Sequence, residues 1–143
     1  MHSPFTNFAA ALVLALSATA FAINVEAAAS DPILAGFAES AKASTPGFTG
    51  FSAERGKRLF LSKQTSGKPE TPSCTTCHGN SPQSRGQTRA DKPIEPMALS
   101  HTPNRYSDPK KVAKWFRRNC KSVLGRECTA LEKGDFITFM ATQ

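Results

Sequence analysis

The chain has 143 residues and a formal net charge of +7. This length excludes more than one sizeable domain and leaves room for one small core. Seventeen of the 18 Lys and Arg residues lie from Arg55 onward, so the basic surface belongs to that part of the chain. Such a surface attracts an acidic partner protein or an anionic ligand.

The N-terminus carries an almost unbroken apolar run from Phe8 to Val25, followed by small residues through Ala29. This pattern predicts a secretory signal peptide over residues 1–29, cleaved at or shortly after Ala27. The alternative is a retained membrane anchor, although the run is marginal against the about 20 residues of a spanning helix. Export predicts a periplasmic protein with no nucleic-acid partner and no stable membrane insertion after cleavage.

Two helices are predicted before the cysteines. Residues 30–51 are predicted to form an N-terminal helix and a linker, because apolar residues recur there at helical spacing; they are Ile33, Leu34, Phe37 and Ala41. A second helix is predicted from Ala53 to about Ser62, with Ser52 as its N-cap. Gly56 lowers the helix propensity of this segment, which a close crossing by another helix would explain.

Two further helices are predicted after a long Gly- and Pro-rich middle segment. The third runs from Pro109 to about Cys120, with Asp108 as N-cap and proline at the first position. The fourth begins at Thr129, and Glu132 completes a capping box. Because no alternating strand pattern is present, the sequence predicts an all-α fold of three to four helices with long loops, whose main domain covers residues 52–143.

The strongest motif is the run Cys74-Thr75-Thr76-Cys77-His78. C-x-x-C-H is the attachment sequence of haem c, in which both thiols bond to the haem and the histidine ligates the iron. A thioredoxin-like redox pair would need a βαβ context, which the sequence lacks. A zinc site would need a second ligand pair at zinc-like spacing, whereas Cys120 and Cys128 are eight residues apart. The motif therefore predicts one covalent haem c on Cys74 and Cys77, with His78 as proximal ligand.

The other two cysteines then have only each other, so Cys120 and Cys128 are predicted to form a disulfide in an oxidising compartment. The second axial ligand of the iron is left open by the residues alone. Met97 is interpreted as a haem-packing residue and Met140 as core, since methionine commonly fills gaps, and His101 as a solvated loop residue. Asn119 follows Val112, Trp115 and Phe116 on one helix face, where it could be a buried amide in need of a partner or a helix C-cap.

Four segments resemble the sphaeroides haem protein family: Arg58–Phe60, Gly67–Gly79, Gly86–Arg89 and Arg118–Cys128. The resemblance extends over about residues 52–143. It implies the class I cytochrome c fold, in which the first helix of that region crosses the last, with Gly56 and Phe60 near Phe136.

The resemblance also implies a set of site residues. His78 is the proximal ligand, Asn119 the distal ligand, and Cys120–Cys128 a disulfide that begins at the next residue. The related cytochrome c″ has histidine where Asn119 stands, so ligation by two histidines is not implied for this chain.

Three functional hypotheses follow from the motif and the resemblance. The family binds oxygen and nitric oxide when reduced and is associated with a dihaem cytochrome c, which implies a gas-binding haem protein that receives electrons from another cytochrome. The second hypothesis is an electron carrier whose iron always has six ligands. The third is an enzyme that converts oxygen or nitric oxide, although no additional acid–base cluster accompanies the haem motif.

Overall fold

The computed structural model describes residues 32–143, so the predicted signal peptide lies outside the described residues. The described elements are α1 (Pro32–Ser44), α2 (Ala53–Leu61), α3 (Thr75–His78), β1 (Gly86–Gln87), β2 (Pro93–Ile94), α4 (Pro109–Leu124) and α5 (Ala130–Ala141). Within this range, no helix combines the length and the hydropathy that a bilayer crossing requires.

The all-α prediction is confirmed, with three local differences. The haem motif forms its own single-turn helix, α3, and the middle segment contains a two-residue antiparallel ladder that pairs Gly86 with Ile94. The third predicted helix, α4, continues beyond Cys120 to Leu124. It ends there because Gly125 adopts a left-handed conformation with φ 70°, which glycine tolerates best.

Side-chain caps set the starts of three helices. Ser52 accepts a hydrogen bond from the Arg55 backbone N–H at 3.2 Å, and Asp108 accepts from Lys110 and Lys111. At the start of α5, Thr129 and Glu132 form the predicted capping box. These bonds satisfy backbone N–H groups that have no partner within a helix.

The crossing of α2 and α5 forms the centre of the core. Phe60 on α2 is fully buried, and its ring centroid lies 6.3 Å from that of Phe136 and 5.9 Å from that of Phe139, both on α5. α1 also packs on α5, and its Ile33 and Leu34 side chains are buried. Burial of these side chains is the main source of stability for a domain of this size.

A buried carboxylate also joins α2 to α5. Asp135 accepts hydrogen bonds from the Ser52 backbone N–H at 2.7 Å and from two nitrogens of the Arg55 guanidinium at 2.6 and 2.8 Å. The same guanidinium donates to the Gly50 carbonyl oxygen at 2.9 Å. This network fixes the start of α2 against the middle of α5.

The loop before the haem motif is bonded to the end of α4. The Lys68 backbone N–H donates to the Ser122 carbonyl at 2.7 Å, and the Ser66 hydroxyl donates to the Leu124 carbonyl at 3.0 Å. Gly67 permits this approach, because a Cβ there would overlap the carbonyl oxygens of Ser122 and Val123. Two of the carbonyls that end α4 thereby gain donors.

Gly56 is expected to tolerate no side chain. A Cβ at this position would overlap the Asp135 carbonyl oxygen and lie 2.8 Å from the Phe139 Cβ, so Gly56→Ala forces α2 and α5 apart. We expect a loss of about 1–3 kcal/mol in the free energy of unfolding, measured by urea denaturation. Gly36→Ala on α1 is the matched control, because nothing lies within 4 Å of its Cβ and alanine favours a helix. Equal stability of the two variants would contradict the close crossing.

Candidate functional site

The haem-attachment motif adopts a defined local geometry. Cys74 is the N-cap of α3, and its carbonyl accepts hydrogen bonds from the backbone N–H groups of Cys77 at 3.4 Å and His78 at 3.2 Å. Gly79 ends the turn with φ 67°, while its N–H donates to the Thr75 carbonyl at 2.9 Å. Both cysteines and the histidine are therefore presented from one helical turn.

Ser73 ties this turn to the core. Its buried hydroxyl accepts hydrogen bonds from the Thr75 backbone N–H at 3.2 Å and the Thr75 hydroxyl at 2.9 Å, and it donates to the Phe60 carbonyl at 3.4 Å. The sequence did not identify this role, since a serine before C-x-x-C-H gives no signal until its partner on α2 is known. The motif is thus held by the last turn of a core helix.

Gly86 allows β1 to pack directly against the motif on another side. A Cβ at Gly86 would overlap the Cys77 carbonyl oxygen and lie 2.9 Å from the His78 Cα. An open polar cleft of about 530 Å³ lies beside this contact, and Cys77, Arg85 and Arg89 are among the residues that line it. Cys77 therefore lies at the border between the packed motif and a solvent-facing cleft.

Both motif cysteines are half-buried and form no disulfide. In the chain before haem attachment, burial raises the pKa of Cys74 to about 11, and its backbone hydrogen bond opposes this effect only in part. Before attachment Cys74 is therefore a protonated thiol at neutral pH, three residues before Cys77. This is the spacing that thioether attachment of a haem requires.

The His78 imidazole is neutral at physiological pH. Burial lowers its pKa to about 4, and the positive charge of Arg105 acts in the same direction. Its Nδ1 atom is buried and has no hydrogen-bond partner among the described residues. A neutral imidazole is the form that ligates a metal, and a polar atom buried without a partner indicates a missing interaction.

The donor set fits a haem and does not fit a bare metal ion. Nowhere in residues 32–143 do three His, Cys, Asp or Glu side chains come together in a way that could hold an ion. A haem brings four nitrogen ligands of its own and needs from the protein two thiols for attachment and one axial nitrogen. Cys74, Cys77 and His78 offer these groups within one turn.

Asn119 lies in the interior of α4, five residues before its end at Leu124. The C-cap interpretation is therefore wrong, because Gly125 occupies the cap position. Asn119 is exposed although Val112 and Val123, which share its helix face, are buried. Its side-chain amide forms no hydrogen bond with any residue from 32 to 143.

The alternative ligands are placed differently. Met140 is fully buried in the core among the aromatic residues of α5, and its carbonyl accepts from the Leu99 N–H at 3.0 Å. Met97 is buried, and its carbonyl accepts a hydrogen bond from the Tyr106 hydroxyl at 3.2 Å. His101 is exposed. Met140 thus has the core position predicted for it, and Met97 belongs to the same cluster, against which Cys74 packs.

The remaining cysteines lie at the end of α4. A disulfide joins Cys120 to Cys128, with 5.5 Å between their Cα atoms. Both residues are buried in a second, smaller cluster with Val123 and Leu124. Since Cys120 follows Asn119 directly, this bond restrains the turn of α4 on which Asn119 lies.

Comparison with known proteins identifies the family. A family model described as a domain of unknown function, DUF1924, matches residues 46–140. The cytochrome c-type protein SHP of Cereibacter sphaeroides is 57% identical over 91 residues, which cover 64% of this chain and 70% of SHP. Cytochrome c″ of Methylophilus methylotrophus is 30% identical over 104 residues, covering 72% of each protein.

The solved structures agree with the sequence relatives. The structure of oxidized SHP, an oxygen-binding cytochrome c, superposes with a TM-score of 0.71 at 50% identity, covering 78% of this chain and 94% of SHP. Oxidized cytochrome c″ superposes with a TM-score of 0.68 at 28% identity, covering 78% and 91%. These matches confirm the fold and the cofactor predicted from the motif, namely one haem c. The chain belongs to the family described as DUF1924 and is a monohaem c-type cytochrome related to SHP and cytochrome c″.

Proposed function

We propose that this cytochrome binds a diatomic gas at its ferrous haem and exchanges electrons with a redox partner in the periplasm. The observation that carries the proposal is the position of Asn119, an exposed amide without a partner among the described residues, on the helix face that also carries the buried Val112 and Val123. The oxygen binding of SHP, a relative at 57% identity, supports the same function.

In this proposal the motif residues hold the cofactor. The Cys74 and Cys77 thiols form the two thioether bonds, and the neutral imidazole of His78 provides the proximal nitrogen. Ser73 and Gly86 hold the turn in place from two sides. When bound, the haem would supply an iron that alternates between the ferric and ferrous states and could bind an exchangeable ligand.

Asn119 would be the second protein ligand of the haem iron in the oxidised state. Its amide oxygen is neutral and hard, and such a ligand suits ferric iron better than the softer ferrous iron. Asn119 would therefore hold ferrous iron weakly, so that oxygen, nitric oxide or carbon monoxide could take its place. The Asn119 NH₂ group would then offer two donors with which to steady the gas.

The periplasmic location is inferred from the predicted signal peptide and the disulfide, and the partner from the need for an electron donor. A signal peptide over residues 1–29 would export the chain, and the Cys120–Cys128 disulfide is stable in an oxidising compartment. Reduction of the haem needs a donor, for which an electron-donating cytochrome, such as a dihaem cytochrome c, is the candidate. No dedicated catalytic turnover is proposed, although weak redox activity toward oxygen or nitric oxide is compatible with the site.

An electron carrier with six permanent ligands is the second candidate, and methionine would be its distal ligand. The burial of Met140 in the aromatic core argues against that residue, because ligation would require it to leave the core. Met97 is therefore the methionine that the test must include.

Carbon monoxide distinguishes the two candidates. We expect the absorption spectrum of the dithionite-reduced protein to change on addition of carbon monoxide or nitric oxide, because Asn119 vacates the ferrous iron. The ferric protein should retain a six-coordinate spectrum in the same experiment. A ferrous spectrum that carbon monoxide leaves unaltered would establish the electron carrier instead.

A further inference from the structure

One side of α4 carries a concentrated positive charge. The helix has six Lys and Arg residues and no Asp or Glu over its 16 residues, and all six are exposed; they are Lys110, Lys111, Lys114, Arg117, Arg118 and Lys121. We call these six residues the α4 basic face. Of these six residues, only Lys111 has a carboxylate partner in the described part of the chain, namely Asp108 at 3.8 Å.

Most arginines outside α4 are paired with a carboxylate, and Arg105 is the exception among the described residues. Besides Arg55 with Asp135, the pairs are Arg58 with Glu54 at 3.2 Å, Arg85 with Glu95 at 3.2 Å, Arg89 with Glu70 at 3.2 Å and Arg126 with Glu132 at 2.7 Å. The α4 basic face therefore contributes a disproportionate share of the unbalanced positive charge. Like charges along one helix repel each other, so this arrangement lowers the stability of the isolated helix.

The only tryptophan of the chain lies beside this face, on the helix face that also carries Asn119. Trp115 is 51% exposed, and its ring has the Lys114 ammonium 5.7 Å and the Arg118 guanidinium 5.3 Å from its centroid. Tryptophan and arginine are the residues most enriched among those that dominate binding energy at protein interfaces. An exposed tryptophan between two cations fits a partner that is apolar at the contact and acidic around it.

The α4 basic face and Trp115 lie close to the residue that we assign as the distal ligand. Trp115 precedes Asn119 by four residues, which is about 6 Å along a helix. A protein docked on Trp115 would lie one turn from the residue to which we assign the distal ligand. Electrons would then pass over a short distance between the two proteins.

We propose that the α4 basic face docks an acidic electron-carrying protein, which reduces the haem. The proposal rests on the proposed function for the presence of a redox partner and on the assignment of Asn119 for the short distance between that partner and the iron. In the step itself, one electron leaves the reduced carrier and converts ferric to ferrous haem. Positive charge on α4 raises the rate of encounter, and Trp115 contributes to the affinity.

The test uses photochemically reduced flavodoxin, a small acidic electron carrier, as the probe. Stopped-flow or laser-flash absorbance gives the rate of haem reduction in the holoprotein at about 20 mM and about 300 mM salt. The Lys114→Glu, Arg118→Glu double variant should lower the rate about tenfold or more at low salt and weaken the salt dependence. Trp115→Ala should raise the half-saturating flavodoxin concentration roughly tenfold.

A matched control keeps the net charge equal. Lys57 and Lys92 are exposed and have no ion-pair partner among residues 32–143, so Lys57→Glu, Lys92→Glu makes the same change of charge away from α4. The proposal predicts that the rate of haem reduction at low salt falls less than about threefold in this control. Equal losses in the two double variants, or no loss in the α4 variant, would overturn it.

A second measurement separates this proposal from the gas-binding function. The dithionite-reduced α4 variant should bind carbon monoxide as the unmodified protein does, with an unchanged circular dichroism spectrum. If neither protein binds carbon monoxide but the α4 variant alone loses reduction by flavodoxin, the docking face stands and the gas-binding function fails.

Discussion

Asn119→Ala is expected to give a haem protein whose distal position is open in both redox states. The haem stays attached, because Cys74 and Cys77 are unchanged, but the ferric absorption and electron paramagnetic resonance spectra lose the signature of the amide ligand. Asn119→His acts in the opposite direction, since imidazole is a stronger ligand that also holds ferrous iron. This variant should become low-spin in the ferric state and bind carbon monoxide more slowly.

Two variants serve as references for this experiment. Asn104→Ala removes an exposed asparagine from a loop turn and should leave both spectra as they are. Met97→Ala tests the competing ligand directly. The assignment of Asn119 fails if Asn119→Ala leaves the ferric spectrum unchanged while Met97→Ala alters it.

The second large effect concerns cofactor attachment. The Cys74→Ala, Cys77→Ala double variant should contain no covalent haem, because both thioether bonds need a thiol. Acid denaturation followed by extraction into organic solvent measures the covalent fraction, and the mass of the purified chain gives an independent value. The unmodified protein should keep its haem in the aqueous phase.

The chain provides its own control for cysteine removal. Cys120→Ala, Cys128→Ala also deletes two cysteines, yet it should retain covalent haem, since that pair forms the disulfide. Its stability should fall, and the end of α4 should loosen. Loss of covalent haem in both double variants alike would argue against the specific role of Cys74 and Cys77.

Helix starts could be predicted from the sequence because their causes are local. Ser52, Asp108 and Thr129 each accept hydrogen bonds from backbone groups two or three residues further on, so the signal lies within a few positions. The end of α4 was predicted too early. Its true end depends on Gly125 and on hydrogen bonds from the loop at Ser66, which is distant in sequence.

The residues of the site likewise fall into those that the sequence alone predicts and those whose role depends on the fold. Cys74, Cys77 and His78 were identified because a contiguous motif encodes them. The supporting contacts of Ser73 with Phe60, and of Gly86 with the motif backbone, exist only after folding. For Asn119 the spacing left a cap and a buried amide equally open; the length of α4 decided against the cap, and the exposure of Asn119 decided against the buried amide.

The hydrogen bonds between the loop at residues 66–71 and the end of α4 also limit how Asn119, the proposed distal ligand, can move. Cys74 follows this loop after two residues, and Asn119 precedes the bonded Ser122 by three. One short set of hydrogen bonds therefore joins the segment that leads into the haem motif to the segment that follows Asn119. A shift of α4 as a rigid rod would have to break these bonds and displace the disulfide. Rotation about the Asn119 side-chain torsions breaks none of them. In the proposed switch, once the bond to iron is broken, Asn119 would therefore need only a change of side-chain rotamer to move away, without a slower movement of the helix.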